Sequence, residues 1–293
     1  MSSKLPGSRE QKNKFVSIFR FLPDELYLKL MYRVRMGKKL NLKNPQTFNE
    51  KIQWLKLHDR RPQYVTMVDK YEAKRYVANI IGEEYIIPTL GIWEKFEDID
   101  FEALPNQFVL KCTHDSGGLV ICRSRDSLNY EVTKKKINYS LGTNFFWVGR
   151  EWPYKDVKPR IIAEKYMEDN ESRELRDYKI FCFNGEPKFL YLSEGLENHR
   201  TAHISFVTLD WQFAKYTRSD YAPFEKLPPK PRNLEKMIEL ARTLSKGIRF
   251  LRVDFYEIKG QIYFGELTFH PNAGFNPFEK EEYDQELGGF LKL

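Results

Sequence analysis

The sequence is poor in the residues that build disulfide frameworks and zinc sites. Its 293 residues include only three cysteines, Cys112, Cys122 and Cys182, and none of its five histidines has the HExxH spacing of zinc proteases. No apolar run approaches the roughly 18 to 20 residues that cross a bilayer, and the start lacks a signal peptide's apolar core. We therefore expect reduced, buried cysteines and a cytoplasmic protein.

Two phosphate-binding motifs are also missing. Neither the P-loop pattern GxxxxGK[ST] nor the dinucleotide pattern GxGxxG occurs, and the chain has no internal repeat or low-complexity tract. A content of 41% hydrophobic and 30% charged residues is typical of a folded soluble protein. The length suits one large lobe or two to three small ones.

The positive charge is concentrated near the start of the chain. The net charge is +7, but residues 1–61 alone carry fifteen Lys and Arg against five Asp and Glu. The densest stretch, Tyr27 to Lys39, mixes cations and apolar residues at helical spacing. It is either a solvated basic helix packed on the main body or a helix that touches an anionic membrane surface or acidic polymer. No nucleic-acid-binding motif accompanies it, so we expect no nucleic-acid partner.

The remaining pattern predicts an α+β fold dominated by antiparallel ribbons with packed helices. We expect helices from Asp24 to near Gly37, over 48–58 behind a capping box at Thr47, over 66–81, over 128–141 and after Asn233. "QFVLKC" and "LVICRS" predict a strand pair around a glycine loop. "DYKIFCFNG" and "EPKFLYLSE" predict a hairpin that turns at Asn184-Gly185.

The ribbon "RVDFYEIKGQIYFGELT" (252–268) carries two carboxylates, Asp254 and Glu266, in an otherwise apolar setting. A two-residue turn at 259–260 would point them to opposite faces, whereas a three-residue loop would bring them to one face, and we expect the latter. Two adjacent carboxylates share either a proton or a divalent cation, and oxygen ligands favour Mg²⁺. The alternative is a surface salt-bridge ladder with Arg252.

Two weaker candidates precede the ribbon. Lys111 ends an apolar strand before "THDSGG", so it and the glycine backbone suit phosphate oxygens, although a plain hairpin loop would look the same. "IIAEKYM" contains Glu164 and then a possible hinge that hydrogen-bonds an adenine edge. An ordinary charged surface strand is the alternative there.

The order of these elements resembles that of ATP-grasp enzymes such as D-alanine–D-alanine ligase and glutathione synthetase. More closely, "LNLKNPQTFNEKIQWLKL", "LPNQFVLKCTHDSGG", "RDYKIFCFNGEPKFLY" and "GELTFHPNAG" resemble the TupA-like ATP-grasp family over roughly residues 23–280. That family is named for teichuronopeptide synthesis, and its members are encoded among bacterial capsule and surface-polysaccharide genes. The resemblance implies an ATP-grasp fold with a basic helical region (1–61), a preceding segment (62–106), a small lobe with the glycine loop (107–167) and a large lobe with the metal site (168–293).

The resemblance also implies a role for each matching residue, with ATP and Mg²⁺ as cofactors. Lys111, Lys179 and Arg252 would be catalytic, with Lys179 and Arg252 facing the transferred phosphoryl group. Asp254, Glu266 and Thr268 would bind the metal; Thr268 replaces the asparagine of the usual ExN triplet, and Asn272 is an alternative to it. ATP would be held by Lys70, Lys111, the loop His114, Asp115, Ser116, Gly117 and Gly118, the base contacts Glu164, Tyr166 and Met167, and Glu171 or Glu174 at the ribose.

The implied activity is ATP-dependent carboxylate–amine ligation through an acylphosphate. It would join an amino acid or amino sugar to a uronic acid of a bacterial surface polysaccharide or its precursor, with peripheral contact to the inner membrane face as a further possibility. A glycosyltransferase and a phosphotransferase acting on a glycan hydroxyl are the alternatives. Candidate contacts to the acidic substrate are His199, Arg200, His203, His270, Asn272 and Gly274.

Overall fold

The structure, a computed structural model, describes residues 19–168, 175–196 and 201–293. Its helices are α1 (Asp24–Met36), α2 (Phe48–His58), α3 (Gln63–Val68), α4 (Glu72–Ile81), α5 (Tyr130–Leu141), α6 (Phe146–Gly149), α7 (Leu234–Ser245) and α8 (Glu281–Phe290). Its strands are β1 (Thr89–Trp93), β2 (Phe108–Cys112), β3 (Leu119–Cys122), β4 (Ile161–Lys165), β5 (Asp177–Phe183), β6 (Glu186–Glu194), β7 (His203–Thr208), β8 (Phe250–Ile258) and β9 (Gln261–Thr268).

Local side-chain hydrogen bonds set the start of α2 and the break between α3 and α4. The capping box is present at the start of α2, where Thr47 accepts the Glu50 N–H and the Glu50 side chain accepts the Thr47 N–H. The prediction of one helix over 66–81 is wrong. Asp69 has an extended backbone and accepts the N–H groups of Tyr71 and Glu72 with its side chain, at 2.9 and 3.3 Å. That local bonding competes with the helix, so α3 and α4 are separate.

The strands form two antiparallel sheets, which confirms the predicted α+β architecture. The small sheet has the order β1-β4-β2-β3 and the large sheet the order β7-β6-β5-β8-β9. The β2–β3 pair around the glycine loop and the β5–β6 hairpin both occur as predicted. Asn184 and Gly185 have φ values of 51° and 85°, which is the left-handed backbone that a two-residue hairpin turn requires.

The β8–β9 hairpin places Asp254 and Glu266 on one face, as predicted, but the predicted three-residue loop is wrong. Lys259 and Gly260 form a two-residue turn, and Ile258 pairs with Gln261. The register then shifts: Phe255 pairs with Phe264, but Val253 pairs with Leu267. One extra residue in β9 therefore lies opposite Asp254, and this bulge turns Glu266 to the face that Asp254 occupies.

One face of the large sheet is only partly covered by other elements, and this face lies beside the small sheet. The opposite face packs on α7 in an apolar core that includes Ile180, Leu251, Val253, Leu240 and Leu244. Part of the open face is covered by α2 through an aromatic cluster around Phe48, Phe181, Phe183 and Phe250. The three cysteines are free and buried, as predicted.

Candidate active site

A cavity of about 930 Å³ lies between the two sheets, within the volume range of small-molecule sites. The small sheet contributes the glycine loop and residues of β2 and β4, and the large sheet contributes β5, β8 and β9. Twelve of the residues predicted to bind ATP or metal or to act in catalysis line it: Lys70, Lys111, Asp115, Ser116, Gly117, Gly118, Glu164, Lys179, Arg252, Asp254, Glu266 and Thr268. The topology thus brings together residues nearly 200 positions apart.

A guanidinium joins the two carboxylates of the ribbon. The Arg252 Nε lies 2.7 Å from Asp254 Oδ1, and its Nη2 lies 2.6 Å from Asp254 Oδ2 and 2.7 Å from Glu266 Oε1. Thr268 donates to the same Glu266 oxygen at 3.0 Å. Asp254 is 2% exposed. The two carboxylates therefore converge from neighbouring strands, as the sequence predicts.

These oxygen donors fit a magnesium ion. Within the described ranges, no set of three or more Asp, Glu, His or Cys side chains is placed to hold a metal. Magnesium often needs only one or two carboxylates, because water and substrate phosphates complete its coordination. Asp254 and Glu266 would hold it, with the Thr268 hydroxyl beside them.

The two carboxylates have opposite pKa shifts. Burial raises the pKa of Asp254 and outweighs Arg252 and Lys179, which favour its charged form. Burial also opposes ionisation of Glu266, but Arg252, Lys70 and Lys179 together lower its pKa. Nearby cations therefore favour the charged form of both carboxylates. A divalent ion bound between them would favour it more strongly than a single positive charge.

Lys179 and Asp177 extend this charged face along β5. Lys179 lies opposite Asp254 in the register of β5 and β8, with its Nζ 3.5 Å from Asp254 Oδ2 and 2.6 Å from Asp177 Oδ2. Asp177 was missed in the sequence, although it lies two positions before Lys179 and so on the same face of the strand.

Across the cavity, Glu164 lies between two lysines. Its Oε2 is 2.5 Å from Lys111 Nζ, and its Oε1 is 2.5 Å from Lys74 Nζ. Burial is the largest influence on Glu164 and opposes its charge, but the two ammonium groups outweigh it and lower its pKa to about 2. Lys74 was not predicted from the sequence, although it follows Lys70 by four positions.

The glycine loop is tied together by Asp115. The Asp115 carboxylate accepts the N–H groups of Gly117 and Gly118, at 3.3 and 3.0 Å, and the Ser140 hydroxyl. Lys70 donates to the Asp115 carbonyl. A Cβ on Gly118 would lie 2.6 Å from Ser140 Oγ and 2.7 Å from Cys112, so packing against the protein itself requires this glycine. In this conformation both glycine N–H groups bond within the loop.

The structure does not bring every predicted residue to the cavity. His114 is buried, with Nε2 3.0 Å from the Ser140 carbonyl and 3.1 Å from that of Thr143. Tyr166 and Met167 follow β4 but are not among the residues that line the cavity, and His203 is exposed on β7. The predictions for Glu171, Glu174, His199 and Arg200 lie outside the described residues.

A further part of the cavity wall was only partly predicted from the sequence. His270 and Asn272 line the cavity, whereas Gly274 does not. Several other lining residues were not predicted from the sequence: Arg35, Phe145, Val148, Glu151, Tyr154, Asp220, Phe275 and Asn276. They come from α1, the α6 region and the segments beyond β7 and β9, and no local motif joins them.

Comparison with known proteins supports one family. The sequence model of the family described as "TupA-like ATPgrasp" matches residues 50–292, most of the chain. No curated protein matches the sequence.

Several solved structures are similar in backbone. D-alanine–D-alanine ligase from Bacillus anthracis, complexed with ATP, is 17% identical with a TM-score of 0.38, covering 70% of this chain and 54% of that one. The Helicobacter pylori D-alanine–D-alanine ligase is 15% identical with a TM-score of 0.44, covering 84% and 69%. An ADP complex of N5-carboxyaminoimidazole ribonucleotide synthetase is 16% identical with a TM-score of 0.44, covering 90% and 62%. The chain thus spans about half the length of the first of these.

Proposed function

The chain belongs to the TupA-like ATP-grasp family, and from that premise we propose that it is an ADP-forming carboxylate–amine ligase. The observation that carries the proposal is the convergence of Asp254 and Glu266 on one face of the cavity, opposite Lys111 and Glu164 of the small sheet. A triphosphate needs both elements, because carboxylates hold its metal ion and ammonium groups balance its remaining charge.

The first step of the proposed reaction activates the acid. A carboxylate oxygen attacks the γ-phosphorus of ATP, the bond to the β,γ-bridging oxygen breaks, and ADP leaves with its electron pair. Lys70 and Lys111 balance phosphate charge from the small-sheet side, while Lys179 and Arg252 lie beside Asp254 on the other. Magnesium, when bound, supplies charge neutralisation at the phosphate oxygens.

The second step forms the amide. The amine attacks the acyl carbon of the acylphosphate, inorganic phosphate departs with the electron pair of the C–O bond, and the nitrogen loses a proton. Phosphorylation is required because the free carboxylate has no leaving group better than oxide. Water would hydrolyse the acylphosphate, so the reaction requires that water be excluded from the cavity between the two sheets.

For the substrates, we propose an amino acid or amino sugar as the amine and a uronic acid of a bacterial surface polysaccharide or its precursor as the acid. This rests on the family to which the chain belongs and on a cavity wall that includes Arg35, Asn272 and Asn276 among its polar groups. Such a wall suits a hydroxylated, acidic ligand of small size.

Two measurements test this function. In a thermal-shift assay the protein should be stabilised by Mg·ATP and not by UDP-sugars; stabilisation by UDP-sugars alone would point to a glycosyltransferase. Incubation with ATP across a panel of amino acids and uronic acids should then release ADP and phosphate in equal amounts with a new amide. Phosphate that stays on an acceptor hydroxyl would identify a phosphotransferase and overturn the ligase.

Helix α1 also supports contact with a membrane surface. In the part of the chain that the structure describes, no helix is long and apolar enough to cross a bilayer. One side of α1 is buried, but Leu26, Leu30 and Val34 on the other side are 52%, 38% and 40% exposed. Lys29 and Arg33 lie on the same exposed side. We propose that this stripe rests on the anionic inner face of the bacterial membrane, with the enzyme in the cytoplasm.

Leu30→Glu should remove this contact, because it places a negative charge in the centre of the stripe. In flotation assays with vesicles of phosphatidylglycerol, the wild type should float and the variant should remain in the soluble fraction. Val132→Glu changes an exposed residue of α5, on another surface, and should float like the wild type. Wild-type protein that ignores the vesicles, or equal behaviour of both variants, would rule out the stripe as the contact.

A further inference from the structure

Arg35 brings a positive charge into the cavity from outside the region that the family match covers. It lies in the last turn of α1, before the matched residues 50–292, yet it lines the same cavity as Asp254 and Glu266. Its Nε is buried and, within the described residues, has no hydrogen-bond partner. Burial lowers the pKa of Arg35, which is the direction expected for a cation that lacks an anionic partner.

The helix that carries Arg35 is fixed to the cavity wall. The Tyr27 hydroxyl donates to the Val148 carbonyl at 2.9 Å, and Arg150 Nη1 lies 3.3 Å from Asp24 Oδ1. The Arg35 guanidinium lies 5.7 Å from the centre of the Phe275 ring. Val148 and Phe275 both line the cavity. The helix that carries Arg35 is therefore held in place by packing against the cavity wall.

A second basic residue, Lys56, lies against the same Phe275 ring as Arg35, with its Nζ 4.4 Å from the ring centre. Lys56 is fully buried and donates to the carbonyls of Gly149 and Ala273, at 2.7 and 2.6 Å, and to the Gln53 side chain. Burial lowers the pKa of Lys56 to about 7, although the Glu151 carboxylate favours its charged form. Arg35 is therefore the lasting positive charge at this end of the cavity, and an anion that enters there gains from it.

We propose that Arg35 binds an anionic group of the substrate other than the carboxylate that is activated. This assignment rests on the proposed ligase function. The activated carboxylate must meet the phosphoryl group near Asp254 and Lys179 of the large sheet, whereas Arg35 lies on α1 against the Phe275 ring. A planar guanidinium matches a carboxylate or phosphate in two parallel hydrogen bonds.

Two parts of the substrates contain such a group. One is the α-carboxylate of an amino acid that supplies the amine, and the other is a second acidic group on the acid substrate or its carrier. The first source favours an amino acid over a neutral amino sugar as the amine. Both sources share the chemistry that Arg35 recognises, and matched probes separate them.

The test uses the full chain saturated with magnesium and the non-hydrolysable analogue adenylyl imidodiphosphate. Ligand-observed NMR titrations compare L-alanine with L-alaninamide, and D-galacturonate 1-phosphate with D-galacturonate, so that one member of each pair carries one further anionic group. That member should bind the wild type more tightly in at least one pair. Arg35→Gln should weaken that binding by roughly tenfold or more, since a charge-assisted pair is lost. Preference in the alanine pair identifies the amino acid, and preference in the sugar pair identifies the acid substrate.

The controls separate this site from the nucleotide site. Arg33→Gln removes the same charge from the exposed side of α1 and should leave probe binding unchanged, while Arg35→Lys keeps the charge and should retain part of it. Absence of any acidic preference in the wild type, or unchanged affinity in Arg35→Gln, overturns the Arg35 assignment. Failure of the wild type to bind the nucleotide analogue overturns the ligase proposal instead.

Discussion

Replacing Glu266 with glutamine should lower ADP release at least about 100-fold, because the change removes one of two carboxylates proposed to hold the metal ion beneath the triphosphate. Glutamine keeps the side-chain size and a carbonyl oxygen, but it lacks the charge that faces Arg252 at 2.7 Å. The side chain is 45% exposed, so we expect little change in the melting temperature. Magnesium-dependent stabilisation by ATP should weaken in parallel.

Two further variants make this result specific. Asp254→Asn should produce a similar loss of turnover, since its carboxylate belongs to the same pair. Glu186→Gln changes an exposed glutamate on β6 that pairs with Arg242 at the surface, so it should keep wild-type turnover. Glu266→Gln that retained more than about a tenth of the wild-type rate would remove the residue from the proposed metal site.

Replacing Glu164 with glutamine should reduce the free energy of unfolding by about 3 kcal/mol at neutral pH. The buried carboxylate has a pKa of about 2 in the folded protein, against an ordinary value of 4.5. A shift of this size and direction corresponds to about 3 kcal/mol of stability, present above pH 4.5 and lost as the pH falls towards 2. The variant loses this contribution and leaves Lys74 and Lys111 without their shared partner.

Urea denaturation at several pH values measures this effect. The gap in unfolding free energy between wild type and Glu164→Gln should be largest at neutral pH and should narrow as the pH drops from about 4.5 to about 2. Glu94→Gln is the matched control, since Glu94 pairs with Lys158 on the surface and both side chains are more than half exposed. Equal stabilities of the three proteins at neutral pH would contradict the account of Glu164 as a buried charge between two lysines.

The β8–β9 hairpin shows what the alternation of side chains along a strand can predict about the site. Alternation alone predicts that Asp254 and Glu266 share a face only if one residue is added between them, and the structure adds it at the bulge rather than in the turn. Gly265 lies at this bulge, and a Cβ there would be 3.1 Å from the Asp254 carbonyl. A glycine inside a strand is a known sign of a bulge, so the sequence contained the signal.

Residues that depend on long-range packing were harder to find. Lys74 and Arg35 occur in helices rich in other charges, and nothing local distinguishes a cavity-facing lysine or arginine from a solvated one. Lys74 is identified only by Glu164, which reaches it from β4, and Arg35 only by the packing of α1 against Val148 and Phe275. Short-range signals, such as the Thr47 capping box and the Asn184-Gly185 turn, predicted their elements correctly because local geometry decides them.

A crystal structure of the protein with adenylyl imidodiphosphate and Mn²⁺ in place of Mg²⁺ tests the central claim most directly. Anomalous scattering should locate one manganese ion between the carboxylates of Asp254 and Glu266, with the triphosphate beside Lys70 and Lys111. A manganese peak away from both carboxylates, or a nucleotide bound outside the cavity between the two sheets, would contradict the account.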